Sequence, residues 1–117
     1  MHELSIASDI LDIARRHVPA GEEDAVGTIV VRVGDMAGVV PASLAFSFEV
    51  AVKESPFPHA QLEIERVPLT GSCNRCGETS ALDPAAIMCA RCKSSDVAVM
   101  TGTELQVARI ILREHAL

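Results

Sequence analysis

A chain of 117 residues, 49% apolar, is long enough for one ordinary core and one small appended module. Its formal net charge of -6 opposes binding to phosphate backbones, and three phenylalanines with no Trp or Tyr leave little from which to build a base-stacking platform. No apolar run reaches the roughly 18 residues needed to span a bilayer, so neither nucleic acid nor membrane is an expected partner.

Glu3 to His17 has the pattern of an amphipathic helix. Leu4, Ala7, Leu11 and Ala14 follow helical spacing, and Ile6, Ile10 and Ile13 widen the stripe. Glu3 in the first turn and Arg15, Arg16 and His17 in the last complement the helix dipole, and Pro19 and Gly21 stop the helix. This acidic start, with Asp9 and Asp12 ahead of the first basic residue, is not the pattern of a signal peptide, and a cytoplasmic protein is expected.

Thr28 to Val33 predicts a strand with Ile29, Val31 and Val33 on one face, followed by a turn between Gly34 and Gly38. Pro41, suited to a first helical position, opens a second helix. Leu44, Phe48, Ala51 and Val52 form its expected buried side, and Pro56 and Pro58 end it. Gln61 to Val67 alternates as a strand, with Leu62 and Ile64 inward and Glu63 and Glu65 outward, closed by Pro68. A cysteine-bearing module follows over residues 70–100. Glu104 to Leu112 then returns as a strand beside an earlier one, which makes the module an insertion between two strands of the main sheet.

Cys73-Asn74-Arg75-Cys76 and Cys89-Ala90-Arg91-Cys92 are separated by twelve residues. Two residues between cysteines let both sulfurs of a tight turn point at one ion, and two such knuckles complete a tetrahedron. In a reducing compartment this pattern favours metal over disulfides. Zinc is the expected ion; a rubredoxin-like iron site and a pair of disulfides are the alternatives. Gly77 helps the first knuckle turn its amides toward the thiolates, and Arg75, Arg91 and Lys93 are placed to offset the charge of four thiolates. With every position filled by sulfur, such an ion is structural and has no open site for catalysis.

Met1-His2-Glu3 is the second candidate metal site. The Met1 amine, the His2 amide and the His2 imidazole form fused chelate rings around one metal, and the Glu3 amide can add a fourth nitrogen. A planar nitrogen set of this kind suits Ni(II) or Cu(II). His17 is expected as a cation at the helix C-terminus, His59 as an exposed loop residue or an extra nickel ligand, and His115 as part of a mobile tail. With the cysteines committed to metal, no nucleophile and base pair can be argued. Without a phosphate-binding glycine loop, nucleotide hydrolysis would have to come from a partner. An enzyme is not expected.

The chain as a whole resembles the HypA family of hydrogenase maturation nickel metallochaperones. The resemblance is carried by Met1-His2-Glu3 leading into a helix, by the run from Val33 to Pro41 with Ser43 to Val50, and by Leu62 to Leu69. The two cysteine knuckles and the closing strand from Gly102 follow in the family's order. It implies an α+β fold, a three-stranded sheet packed with two helices and an inserted zinc ribbon. The expected division is a nickel-binding domain over 1–68 plus 101–117 and a zinc ribbon over 69–100. It also implies nickel bound at His2 with Glu3 beside it, and structural zinc on Cys73, Cys76, Cys89 and Cys92. The cargo would go to the [NiFe]-hydrogenase large subunit precursor in partnership with a HypB-type GTPase; a homodimer is left open. The second knuckle departs from the family in having Ala90 where Pro is frequent and Lys93 where Gly is frequent, and the tail over 110–115 is less acidic; neither removes a ligand. The competing reading is a zinc-ribbon interaction or regulatory module that binds no nickel.

Overall fold

A computed structural model describes residues 3–113. Met1 and His2 of the proposed nickel site, and His115, lie outside the described residues. The element order is helix α1 (Glu3–His17), a 3-10 turn (Glu23–Ala25), strand β1 (Val26–Gly34), helix α2 (Pro41–Val52), strands β2 (Gln61–Val67), β3 (Thr70–Cys73), β4 (Thr79–Ala81) and β5 (Val97–Thr101), and strand β6 (Leu105–Leu112). The fold is α+β. One three-stranded sheet has the order β2-β1-β6 and a second the order β4-β3-β5. The second lies in the chain between β2 and β6, as an insertion between the two strands that flank β1.

The chain divides into two compact units. The first comprises residues up to Val31, Val39–Glu65 and the segment from Gln106 on; the second comprises Arg32–Gly38 and Arg66–Leu105. In the first unit α1 and α2 pack on each other. Helix α1 buries Ile6, Ala7, Ile10, Leu11 and Ala14, while Leu4 is 49% exposed, so the stripe is centred further along the helix than Leu4. Pro41 occupies the first turn of α2, where its missing N–H costs no hydrogen bond. Leu44 and Phe48 are its buried residues; Ala51 and Val52 are only half-buried. The helix ends at Val52, ahead of both prolines, where the Ser55 hydroxyl donates to the Val52 carbonyl at 2.7 Å. Phe57, between Pro56 and Pro58, is fully buried.

Strand β1 buries Ile29, Val30 and Val31 in succession. The expectation of one buried face fails at Val30 because β1 is the central strand. Strand β2 alternates as far as Ile64, with Leu62 and Ile64 half-buried and Glu63 exposed; Glu65, expected outward, is half-buried too, its carboxylate accepting from Arg109 at 2.6 Å.

The core of the second unit is small: Val33, Val67, Leu69, Leu82, Cys73 and Cys89. β3 pairs antiparallel with β4, setting Ser72 opposite Thr79, and with β5, setting Cys73 opposite Val97. Gly34 and Gly102 meet backbone to backbone; a Cβ on Gly34 would overlap the Gly102 carbonyl. Around them the Met36 N–H donates to the Gly102 carbonyl at 2.7 Å, and the Asp35 N–H to that of Val67 at 2.9 Å.

Candidate metal centre

Strand β3 delivers Cys73 at its C-terminal end, and the chain then turns sharply enough to bring Cys76 back toward it. The Gly77 N–H closes that turn on the Cys73 carbonyl at 2.9 Å, and the Cys73 N–H donates to Glu78 at 2.8 Å. The second knuckle repeats both bonds: Lys93 N–H to the Cys89 carbonyl at 3.0 Å, and Cys89 N–H to Ser94 at 2.8 Å. In each knuckle the first sulfur accepts two backbone N–H groups at 3.4 Å, from Arg75 and Cys76 onto Cys73 and from Arg91 and Cys92 onto Cys89. The two halves of the site are thus near copies in hydrogen bonding. They differ at one backbone position: Gly77 holds φ +79°, the left-handed region glycine enters freely, and its counterpart Lys93 holds φ 65° with a side chain attached.

The four sulfurs lie within 4.8 Å of one another, with Cys73–Cys92 and Cys76–Cys89 at 3.6 Å. A tetrahedral zinc with bonds of about 2.3 Å holds its sulfurs about 3.8 Å apart. Disulfide sulfurs would be about 2.05 Å apart, so these cysteines are free thiols gathered around a point. Cys73 and Cys89 are buried, and Cys76 and Cys92 exposed. The arrangement can hold one soft or borderline dication.

The backbone amides prepare the sulfurs for that charge. The Cys92 N–H, helped by that of Arg91, lowers the Cys89 thiol to about 6, and the Cys76 N–H lowers Cys73. Cys76 goes the other way. The Glu78 N–H pulls it down, but desolvation and the neighbouring sulfurs of Cys89, Cys73 and Cys92 outweigh that and push it up to about 12. Like charges crowd the site, and a central cation is what relieves them. The basic side chains at the knuckles turn elsewhere: Arg91 pairs with Glu78 at 3.4 Å, and the Lys93 ammonium donates to the Ala90 carbonyl at 3.2 Å. Charge offset at the sulfurs therefore comes from backbone N–H groups more than from Arg91 and Lys93.

Of the other candidate residues, Glu3 stands in the first turn of α1 and His17 in its last. His59 is exposed, with its Nε2 at 3.1 Å from a carboxylate oxygen of Asp24. Among the described residues the four cysteines form the one cluster of three or more His, Cys, Asp or Glu side chains able to hold a metal ion. No helix among them is long and apolar enough to cross a membrane. Lys93 is the feature that reading by residue type undervalues: its position matches Gly77 in the doubled motif, and that correspondence is the available signal.

A two-helix α+β scaffold with a doubled Cys-x-x-Cys ribbon inserted between strands, its four sulfurs gathered, defines a protein built to hold a metal ion. Residues 1–112 match the family described as hydrogenase/urease nickel incorporation, metallochaperone, HypA. A hydrogenase maturation factor HypA from Desulfosudis oleivorans is 36% identical over 115 residues, covering 97% of this chain and 100% of the relative. One from Chloroflexus aggregans is 34% identical over 111 residues, covering 94% and 97%. The chain belongs to the HypA family of nickel metallochaperones. The solution structure of the Ni metallochaperone HypA from Helicobacter pylori shares the fold, with a TM-score of 0.63 at 22% identity over 96% of this chain and 97% of that one. A second HypA solution structure aligns with a TM-score of 0.67 at 23% identity, covering 97% of each chain.

Proposed function

We propose that this chain carries Ni(II) during hydrogenase maturation, binding it at the N-terminus and passing it to the [NiFe]-hydrogenase large subunit precursor. His2 supplies the imidazole and amide nitrogens, Met1 its amine, and Glu3 a further nitrogen with a carboxylate alongside. A HypB-type GTPase is the proposed partner in the transfer. The single observation that carries this reading is the family match over residues 1–112, which includes the terminal chelating sequence. Helix α1 begins at Glu3, so the proposed ligands adjoin the positive end of a helix dipole. That end disfavours a dication, and Glu3 opposes the effect. A site balanced in this way holds its cargo less tightly than a thiolate cage, as a carrier requires.

Zinc on Cys73, Cys76, Cys89 and Cys92 has a different role in this proposal. Bound there it supplies a fixed crosslink to a unit whose apolar core is small. The cysteine thiolates and the amides of Arg75, Cys76, Arg91 and Cys92 do the holding. Nickel titration of untagged, zinc-loaded chain tests the assignment. Extra residues before Met1 should weaken nickel binding and His2→Ala should weaken it further, with zinc content unchanged. Unchanged nickel affinity in both variants would refute the terminal site and favour a zinc-ribbon interaction module.

A further inference from the structure

Exposure divides the four sulfurs of the ribbon in a regular way. In each knuckle the first cysteine, Cys73 or Cys89, is buried, and the second, Cys76 or Cys92, is exposed. Each exposed sulfur stands 3.6 Å from the buried sulfur of the opposite knuckle, Cys92 from Cys73 and Cys76 from Cys89. The buried sulfurs are anchored, each accepting two backbone N–H groups of its own knuckle at 3.4 Å. Four is also the chain's full count of cysteines, so a modified sulfur has no other thiol of this chain to react with. An open sulfur beside a shielded one is the arrangement in which one thiolate meets an oxidant and its neighbour resolves the product.

We propose that this metal centre is also an oxidative modification site, at which hydroperoxides oxidise Cys92 and Cys76 and the facing sulfurs of Cys73 and Cys89 resolve them into two cross-knuckle disulfides. The proposal rests on the four cysteines holding zinc as thiolates in the resting protein. With hydrogen peroxide, the Cys92 thiolate attacks one oxygen, the O–O bond breaks, and a sulfenic acid forms as hydroxide leaves. The Cys73 thiolate then attacks the Cys92 sulfur, the S–O bond breaks, and a second hydroxide leaves. Two thiolates have given two electrons to one peroxide. Cys76 and Cys89 repeat the sequence with a second peroxide. Four anionic donors become two neutral disulfides, and the site no longer holds a dication.

The geometry favours these pairs. Closing 3.6 Å to the roughly 2.05 Å of a disulfide asks for about 1.5 Å of movement, shared between the partners. Cys73 is the last residue of β3, and the other three cysteines lie outside the strands, so no strand pairing has to break. The loop closed by Cys76 and Cys89 nests inside the one closed by Cys73 and Cys92. The two disulfides still tie the knuckles together after the metal has gone, so the ribbon keeps its connection. A thiol reductant that restores the four sulfurs lets zinc return, which makes the modification reversible.

Hydrogen peroxide titration of the zinc-loaded full chain tests this. Zinc content beforehand checks the identity of the resident ion separately from its oxidation. A chromophoric chelator should then record loss of the bound zinc by about two equivalents of peroxide, and dithiothreitol with added zinc should restore it. Trypsin cuts after Arg66, Arg75, Arg91 and Lys93, placing the cysteines on three peptides, 67–75, 76–91 and 92–93. The proposed pairs give 76–91 closed on itself and 67–75 joined to 92–93, as two separate species. Pairing within the knuckles, or between Cys73 and Cys89 and between Cys76 and Cys92, would join all three peptides into one. At limiting peroxide a dimedone trap should label Cys92 and Cys76 ahead of Cys73 and Cys89. Zinc retained under excess peroxide with unmodified thiols would overturn the modification site. All three peptides in one species would overturn the cross-knuckle pairing, and first labelling of Cys73 or Cys89 would overturn the division of roles.

Discussion

Lys93 and Gly77 offer a controlled test of how backbone conformation sets metal affinity. Both close their knuckles with the same hydrogen bond, at φ 65° and φ +79°. A side chain in the left-handed region costs about 1–2 kcal/mol. Replacing Lys93 with glycine removes that cost, but gives the unfolded chain extra freedom worth about 0.4–1 kcal/mol. The ammonium of Lys93 makes only an exposed contact to the Ala90 carbonyl, so its loss costs little. The net gain is about 0.5–1 kcal/mol, and because zinc binding and ribbon folding are one equilibrium, Lys93→Gly should tighten zinc about two- to fivefold. Gly77→Ala is the converse. No atom lies within 4 Å of a Cβ built there, so the substitution adds no steric clash and acts through backbone terms alone. The left-handed cost of about 1–2 kcal/mol is offset by the roughly 0.4–1 kcal/mol that alanine removes from the unfolded chain's freedom, so zinc should weaken about two- to fivefold. Competition against a chromophoric chelator at fixed pH reads both. Weaker zinc in Lys93→Gly together with unchanged affinity in Gly77→Ala would refute the reasoning.

Cys89→Ala should abolish stoichiometric zinc, read by elemental analysis, while far-ultraviolet circular dichroism retains the helical signal of α1 and α2. Gly34→Ala should lower the thermal midpoint sharply, since the added methyl meets the rigid backbone carbonyl of Gly102; a cost of about 1–3 kcal/mol is the usual scale of overpacking. The Glu104 carboxyl is held below its ordinary 4.5 by its own N–H and that of Gly102, the latter donating at 2.7 Å. A depressed carboxyl contributes stability that is present above about 4.5 and lost as pH falls through the lower folded value. Glu104→Gln should therefore be less stable than wild type at pH 7, and the difference should shrink between about pH 5 and 3. Denaturant midpoints across that range measure it, and a difference independent of pH would count against the carboxylate's role.

Much of this architecture was legible from residue pattern. The bounds of α1 follow from its apolar spacing and its charged ends, and Pro41 marks the start of α2 because its ring suits a first turn. The doubled Cys-x-x-Cys is local geometry written directly into spacing, which is why the gathering of four sulfurs could be anticipated. What escaped is set by contacts distant in sequence. Val30 is buried because β1 has a strand on each side, and sheet order is not a local property. Phe57 reads as loop between two prolines, yet it is fully buried within the first unit. The three-residue strand Thr79–Ala81 is too short and polar to carry a period, and it exists through its pairing with β3. Leu4 belongs to the apolar repeat of α1 but falls at the rim of the buried stripe.

Metal content of the untagged chain after equilibration with Ni(II) and removal of unbound metal tests the separation of a resident zinc from a carried nickel most directly. Wild type should retain stoichiometric amounts of both metals. His2→Ala should keep its zinc and lose its nickel, and Cys89→Ala should lose its zinc and keep its nickel. Nickel retained in His2→Ala but lost in Cys89→Ala would place the cargo at the cysteines and contradict a terminal nickel site.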